Sequence, residues 1–153
     1  MRSLELKIPP PAVALVIALV MWGITFLVPS FDLPFFVRTI TSVIIAALGF
    51  AISVAGIVSF RQAQTTINPM KPDMATALVS SGIYRKTRNP MYLGILLGLL
   101  GWGVFLANAL SVLCAFVFVP YMNRFQIRPE ERSLAALFGV EFMAYKASVR
   151  RWM

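Results

Sequence analysis

The stretch Pro90–Asn123, PMYLGILLGLLGWGVFLANALSVLCAFVFVPYMN, carries no charged residue. As one helix it would be about 50 Å long at roughly 1.5 Å per residue, well beyond the roughly 30 Å hydrocarbon core of a bilayer. It therefore has to turn, and the turn is expected around Asn108. A short connection makes the two halves antiparallel neighbours, so Asn89 and Arg124 return to the same membrane face. Working outward, Thr39–Phe60 is a second uncharged run, bounded by Arg38 and Arg61, and Ala12–Val28 is a third, bounded by Pro11 and Pro29. Each is near the roughly 17–25 residues that a helical span requires. The expectation is an all-α integral membrane protein with about four transmembrane helices and a C-terminal amphipathic cytoplasmic helix, forming a single domain over residues 1–153.

Composition agrees with that reading. Apolar residues make up 59% of the 153, and the mean hydropathy is +0.79, above the roughly 45–50% apolar usage of soluble domains. Because the first apolar run is long and further spans follow, it is expected to stay as a transmembrane helix rather than act as a cleaved signal. The single Cys114 excludes an intrachain disulfide, and the absence of histidine excludes imidazole bases, serine–histidine triads and histidine-rich metal sites. No metal is expected. The net charge of +8 does not form one basic patch with interleaved aromatics, so nucleic acid is not an expected partner.

The basic residues instead sit at the ends of apolar segments. Arg2, Lys7, Arg61, Lys71, Arg85, Lys86, Arg88 and every basic residue from Arg124 onward fall on one side, with Arg38 on the other. The positive-inside rule then places both termini and the Arg61–Asn89 loop in the cytoplasm, with the spans in an inner or plasma membrane. That loop, containing Pro69, Pro72 and Gly82, is too polar to span and too long for a simple turn, which makes it a candidate lid or half of a site. Gly94, Gly98 and Gly101 on the third span, and Ala46, Gly49, Ser53 and Gly56 on the second, form small-residue stripes that suit close helix packing.

Two polar segments stand out. Gly82–Gly94, GIYRKTRNPMYLG, leads into a span with Pro90 suited to the first helical position. Unpaired backbone N–H groups and the positive dipole end there, together with Arg85, Lys86 and Arg88, could hold a ligand carboxylate. The same basic residues could also simply anchor the helix among lipid headgroups. Arg128–Trp152, RPEERSLAALFGVEFMAYKASVRRW, reads as a helix from Pro129. At about 100° per residue, Glu130, Glu131, Leu134, Leu137, Phe138, Glu141, Phe142, Tyr145 and Val149 share one arc of about 140°, with Arg132, Lys146 and Arg150 opposite. Three glutamates on or near the apolar face need partners, either the loop arginines in a structural network or a cationic ligand.

The order G-x-Y-R-x-x-R-N-P-M-Y-x-G, followed by R-P-E-E-x-x-L-x-x-x-F-G-x-E-F-x-x-Y-x-x-x-V-R-R, resembles the isoprenylcysteine carboxyl methyltransferase and phospholipid methyltransferase superfamily. These are small integral-membrane enzymes that use S-adenosylmethionine, and the resemblance covers the C-terminal half of the chain. Asn89 stands where histidine is often found, and Phe142 where an aromatic residue, often tyrosine, is usual. The resemblance implies methyl transfer to a lipid or other lipophilic, membrane-partitioned acceptor bearing a carboxylate, thiol or amine. It implies cofactor-binding roles for Tyr84, Arg88, Asn89, Pro90, Tyr92, Gly94, Glu130, Glu131 and Tyr145, on the cytoplasmic side. By motif, Glu131 and Tyr92 are the nearest candidates for a catalytic base if the acceptor is an amine or thiol.

S-adenosylmethionine suits such residues, since its carboxylate can meet arginine and its sulfonium can sit near a carboxylate or aromatic face. The first alternative is an NADPH-dependent membrane reductase of the sterol-reductase type, although adjacent Glu130 and Glu131 would repel a polyphosphate. The second is a non-catalytic membrane scaffold or transporter subunit.

Overall fold

A computed structural model describes residues 5–65, 70 and 72–153, so Arg2, Pro69 and Lys71 of the sequence reading lie outside the described residues. The described helices are α1 (Pro10–Ile24), α2 (Phe35–Gln62), α3 (Pro90–Phe105), α4 (Ala109–Ala115), α5 (Phe118–Met122) and α6 (Arg128–Ser148). Short 3-10 turns at Pro72–Met74 and Gly82–Arg85 punctuate the loop before α3, and a π turn at Asn123–Ile127 joins α5 to α6. Proline sets several starts: Pro10 and Pro90 each occupy a first helical position, where the missing N–H has no partner to lose.

Among the described residues two elements have spanning length: α2, and the rod that starts at Ala109 and runs on into α6. The other two apolar helices are shorter than expected, at 15 and 16 residues, or about 22–24 Å. Backbone bonds from Leu27 and Val28 to the Ile24 carbonyl, both 3.0 Å, carry the first one on toward Val28. Large apolar side chains cover the outside of the bundle, with Leu15 and Leu19 on α1 and Ile44, Leu48 and Phe50 on α2 all exposed. Water would not tolerate so extensive an apolar surface, and lipid requires it. The protein is an all-α membrane protein.

The expected hairpin is present. Asn108 caps α4, its Oδ1 accepting from Ser111 N–H at 2.9 Å, while its Nδ2 donates to the Val28 carbonyl at 3.0 Å. One buried amide thus starts the fourth apolar helix and fastens the end of α1 beside it. Arg38 sits at this same end, its guanidinium over the Phe35 and Phe105 rings. Asp32 shares this end, while at the opposite end Leu6 N–H donates to the Phe125 carbonyl at 3.0 Å and Arg132 pairs with Glu5.

α3 is the central helix. Its Tyr92, Leu96 and Leu99 pack with Val13, Ile17 and Met21 of α1, and with Ala115, Phe118, Met122 and Ile127 of the rod. On its other side it meets α2 through the two small-residue stripes. A Cβ added at Gly49 would lie 2.6 Å from the Gly94 carbonyl oxygen, and one at Gly101 would lie 3.0 Å from that of Ser42. In lipid, where apolar burial drives helices together only weakly, this close backbone approach carries the association. Gly98 is the exception, since nothing stands within 4 Å of its added Cβ.

Candidate active site

α6 does not begin at Pro129. The helix arrives already formed through the π turn, and Pro129 is accommodated because the carbonyl it cannot serve, that of Phe125, accepts from Leu6 instead. Nor does a single apolar arc run to Val149. Gly139 adopts φ 50° and ψ −120°, which breaks the helix and rotates everything after it. As a result Glu141, expected on or near the inward face, is exposed, while Phe142 is buried. Val149 is extended, and the chain turns back from there toward the start of α3.

The two adjacent glutamates have different surroundings. Arg151 grips Glu131 with two bonds, Nε to Oε1 at 3.0 Å and Nη2 to Oε2 at 2.7 Å. Arg88 Nη2 adds a third at 2.9 Å, and Lys146 Nζ stands 3.6 Å away. Partial burial works to raise the Glu131 carboxyl, but the bonds and charge of Arg151, backed by Arg88 and Lys146, outweigh it and hold the group below its ordinary value. No cation among the described residues pairs with Glu130. Its Oε1 accepts from the Tyr92 hydroxyl and from Gln126 Nε2, the latter at 2.7 Å. Burial pushes it up to about 7 against the pull of those two donors, with the Glu131 charge adding to the rise.

The returning C-terminal segment closes the charged end. Arg88 N–H donates to the Arg150 carbonyl at 3.0 Å, and Asn89 Nδ2 to that of Arg151 at 2.9 Å. Arg88 Nη1 reaches the carbonyls of Lys146 and Val149 at 2.7 and 3.0 Å. Trp152 Nε1 donates to Asn123 Oδ1 at 3.1 Å. Tyr145 Oη donates to the Tyr84 carbonyl at 2.9 Å, pinning the 82–85 turn to α6; burial raises the Tyr145 phenol to about 12 against the opposing charge of Arg88.

Between these elements lies an open cavity of about 110 Å³. Phe60, Leu78, Val79, Met91 and Phe142 supply apolar wall, and Tyr84, Arg88, Asn89, Tyr92, Glu130 and Glu131 bring the polar groups to it. Of the residues that the sequence motifs single out, these six converge and three do not. Pro90 is buried against Gly56, Tyr145 lies behind the 82–85 turn, and Gly94 is in the α2–α3 interface. The absence of a side chain at Gly94 is needed for packing, since Ser53 and the Gly49 carbonyl fill the space where its Cβ would project.

Two polar atoms of residues that line the cavity lack partners among the described residues. Arg88 Nε is a buried donor with no acceptor, and no described residue donates to Glu130 Oε2. Sequence reasoning missed Gln126 and Arg151. Gln126 lies four residues before Glu130, and so on the same helical face once the helix is known to start early; Arg151 belongs to the V-R-R end of the second motif.

The fold is that of an all-helical membrane protein, with acids, an arginine and tyrosines gathered around a cavity at its charged end. The phospholipid methyltransferase family profile matches residues 37–141, and the chain belongs to that family. It is 46% identical over 63 residues to an uncharacterized protein of Haemophilus influenzae, covering 41% of this chain and all of that one. It is 31% identical over 106 residues to protein-S-isoprenylcysteine O-methyltransferase A of Arabidopsis thaliana, covering 69% of this chain and 54% of that one. With the protein-S-isoprenylcysteine O-methyltransferase of Saccharomyces cerevisiae it shares 36% over 80 residues, 52% of this chain and 33% of the relative. The chain thus spans about half of the plant enzyme's length and a third of the yeast enzyme's. No solved structure gives a significant match.

Proposed function

We propose that the protein is an S-adenosylmethionine-dependent methyltransferase acting on a lipophilic or membrane-partitioned acceptor, and that residues 1–153 work as one domain. The observation that carries this reading is that one largely apolar cavity is lined both by Arg88, whose Nε has no acceptor among the described residues, and by Glu130, whose Oε2 has no donor among them. S-adenosylmethionine offers a carboxylate for the first, a cationic centre for the second and an adenosine for the apolar wall. When bound, it supplies an electrophilic methyl group.

Arg88 Nε would hold the carboxylate, while the other guanidinium nitrogens stay fixed on Glu131 and the Lys146 and Val149 carbonyls. Glu130 Oε2 would face the cation. Phe60, Tyr84 and Phe142 would exclude water, which strengthens every charge interaction in the cavity. If the acceptor is an amine or thiol, Glu130 would take its proton. This role passes from Glu131 to Glu130 because Glu131 is fully engaged by cations, whereas Glu130 is the carboxyl poised near neutrality. Tyr92 would position Glu130 through its hydroxyl.

Calorimetry on purified protein should show S-adenosylhomocysteine binding with no measurable binding of NADPH. Tight NADPH binding in place of S-adenosylhomocysteine would move the assignment to a reductase.

The site is proposed to face the cytoplasm of an inner or plasma membrane, together with both termini. This follows from the charge asymmetry, since Arg38 is the one basic residue among the described residues at the end marked by Asn108. Reporter fusions at Asp32 and Asn108 should appear in the opposite compartment from a C-terminal fusion. A C-terminus outside the cytoplasm would refute the orientation.

A further inference from the structure

Gln126 is only 2% exposed, an uncommon degree of burial for a glutamine beside a membrane-spanning segment. It occupies the π turn, where Gln126 and Ile127 turn inward while Arg124 and Arg128 on either side stay exposed. Its Nε2 donates to Glu130 Oε1 at 2.7 Å, and the Tyr92 hydroxyl donates to the same oxygen. Two donors on one oxygen fix the carboxylate's rotation about its Cγ–Cδ bond. Only the second oxygen is then left for a ligand in the cavity.

We propose that Gln126 is a positioning residue for Glu130, holding Oε1 jointly with Tyr92 so that Oε2 is presented to the cationic centre of the bound ligand. The inference rests on the methyltransferase reading of this cavity. A neutral amide suits this position. A lysine would neutralise Glu130 and cancel its attraction for a cation, whereas an aliphatic residue would leave the carboxylate held by Tyr92 alone and free to swing. The π turn is expected wherever an extra residue must be absorbed to bring a particular side chain inward, and such turns recur at functional sites.

The test compares two ligands by calorimetry on the full chain in micelles: sinefungin, which carries an ammonium near the position of the sulfonium, and S-adenosylhomocysteine, which is neutral there. Wild-type protein should prefer sinefungin, and Glu130→Gln should abolish the preference. Gln126→Met, matched in length but without the amide donor, should reduce the preference about two- to tenfold, the effect of one hydrogen bond. Its S-adenosylhomocysteine affinity and melting temperature should stay close to wild type. Gln126→Leu is the second variant should Gln126→Met fold poorly. A fully retained preference in a folded variant would overturn the proposal, as would equal weakening of both ligands, which marks a packing role alone. Failure of the wild type to bind either ligand would instead refute the methyltransferase reading on which the proposal rests.

Discussion

Glu131→Ala should lower the unfolding free energy of the purified protein by about 3–5 kcal/mol, the typical effect of removing one partner from a buried ion pair. The substitution leaves Arg88 and Arg151 facing one another in a region where Arg88 is only 10% exposed. It should also release the 149–152 segment from the start of α3, detectable as proteolytic cleavage near Arg150. Lys146→Ala is the control, because Lys146 is 40% exposed and 3.6 Å from the carboxylate, so its loss should change stability by no more than about 1 kcal/mol. The pH dependence follows in sign. A carboxyl held below its ordinary value contributes stability above the unfolded-state pKa and loses it as the pH falls through the folded-state value. An effect of Glu131→Ala no larger than that of Lys146→Ala would show that the network is not holding the segment.

Glu130→Gln should have the opposite profile, with little loss of stability and a large loss of turnover. With an amine or thiol acceptor, methyl transfer from labelled donor into membrane lipids should fall about 10²–10⁴-fold, the usual contribution of a positioned general base. Because burial raises the Glu130 carboxyl to about 7, wild-type activity should climb between about pH 6 and 8 as the group loses its proton. The same shift makes folding stability fall as pH rises from the ordinary carboxylate range to about 7, since the folded protein holds the proton more tightly than the unfolded chain does. Glu130→Gln should flatten both slopes. A loss of activity smaller than tenfold, with the pH slope intact, would remove Glu130 as the proton acceptor.

Much of the fold could be read from the sequence because lipid imposes simple rules. An uncharged run too long for one span must turn, and Asn108 was the residue able to cap the helix that followed. Small residues at Gly49, Gly56, Gly94 and Gly101 mark the α2–α3 interface for the same reason, although Gly98, in the same sequence pattern, faces open space. The site was less legible. Periodicity carried the helical arc past Gly139, and nothing in a regular 100° step reveals a left-handed residue that redirects Glu141 outward. Adjacent glutamates look alike in sequence, yet a difference of one position puts Glu131 among three cations and Glu130 beside Tyr92 and Gln126. The arginine doublet at 150–151 was visible, but only the reversal after Ser148 shows that Arg151 is the one that reaches Glu131.

The reversal after Ser148 also bears on how the protein is made. Arg88 acquires its carbonyl partners from residues 58 to 62 positions later in the chain, and Asn89 from one 62 positions later. By the time Arg151 leaves the ribosome, α1 through α5 have already been synthesised and can enter the bilayer. Until then Glu131 lacks the bidentate grip of Arg151, and Arg88 and Asn89 lack carbonyl acceptors. The charged cluster is therefore completed only after the apolar helices have been made, and a chain stalled before Arg151 would hold those helices with Glu131 still short of its bidentate partner.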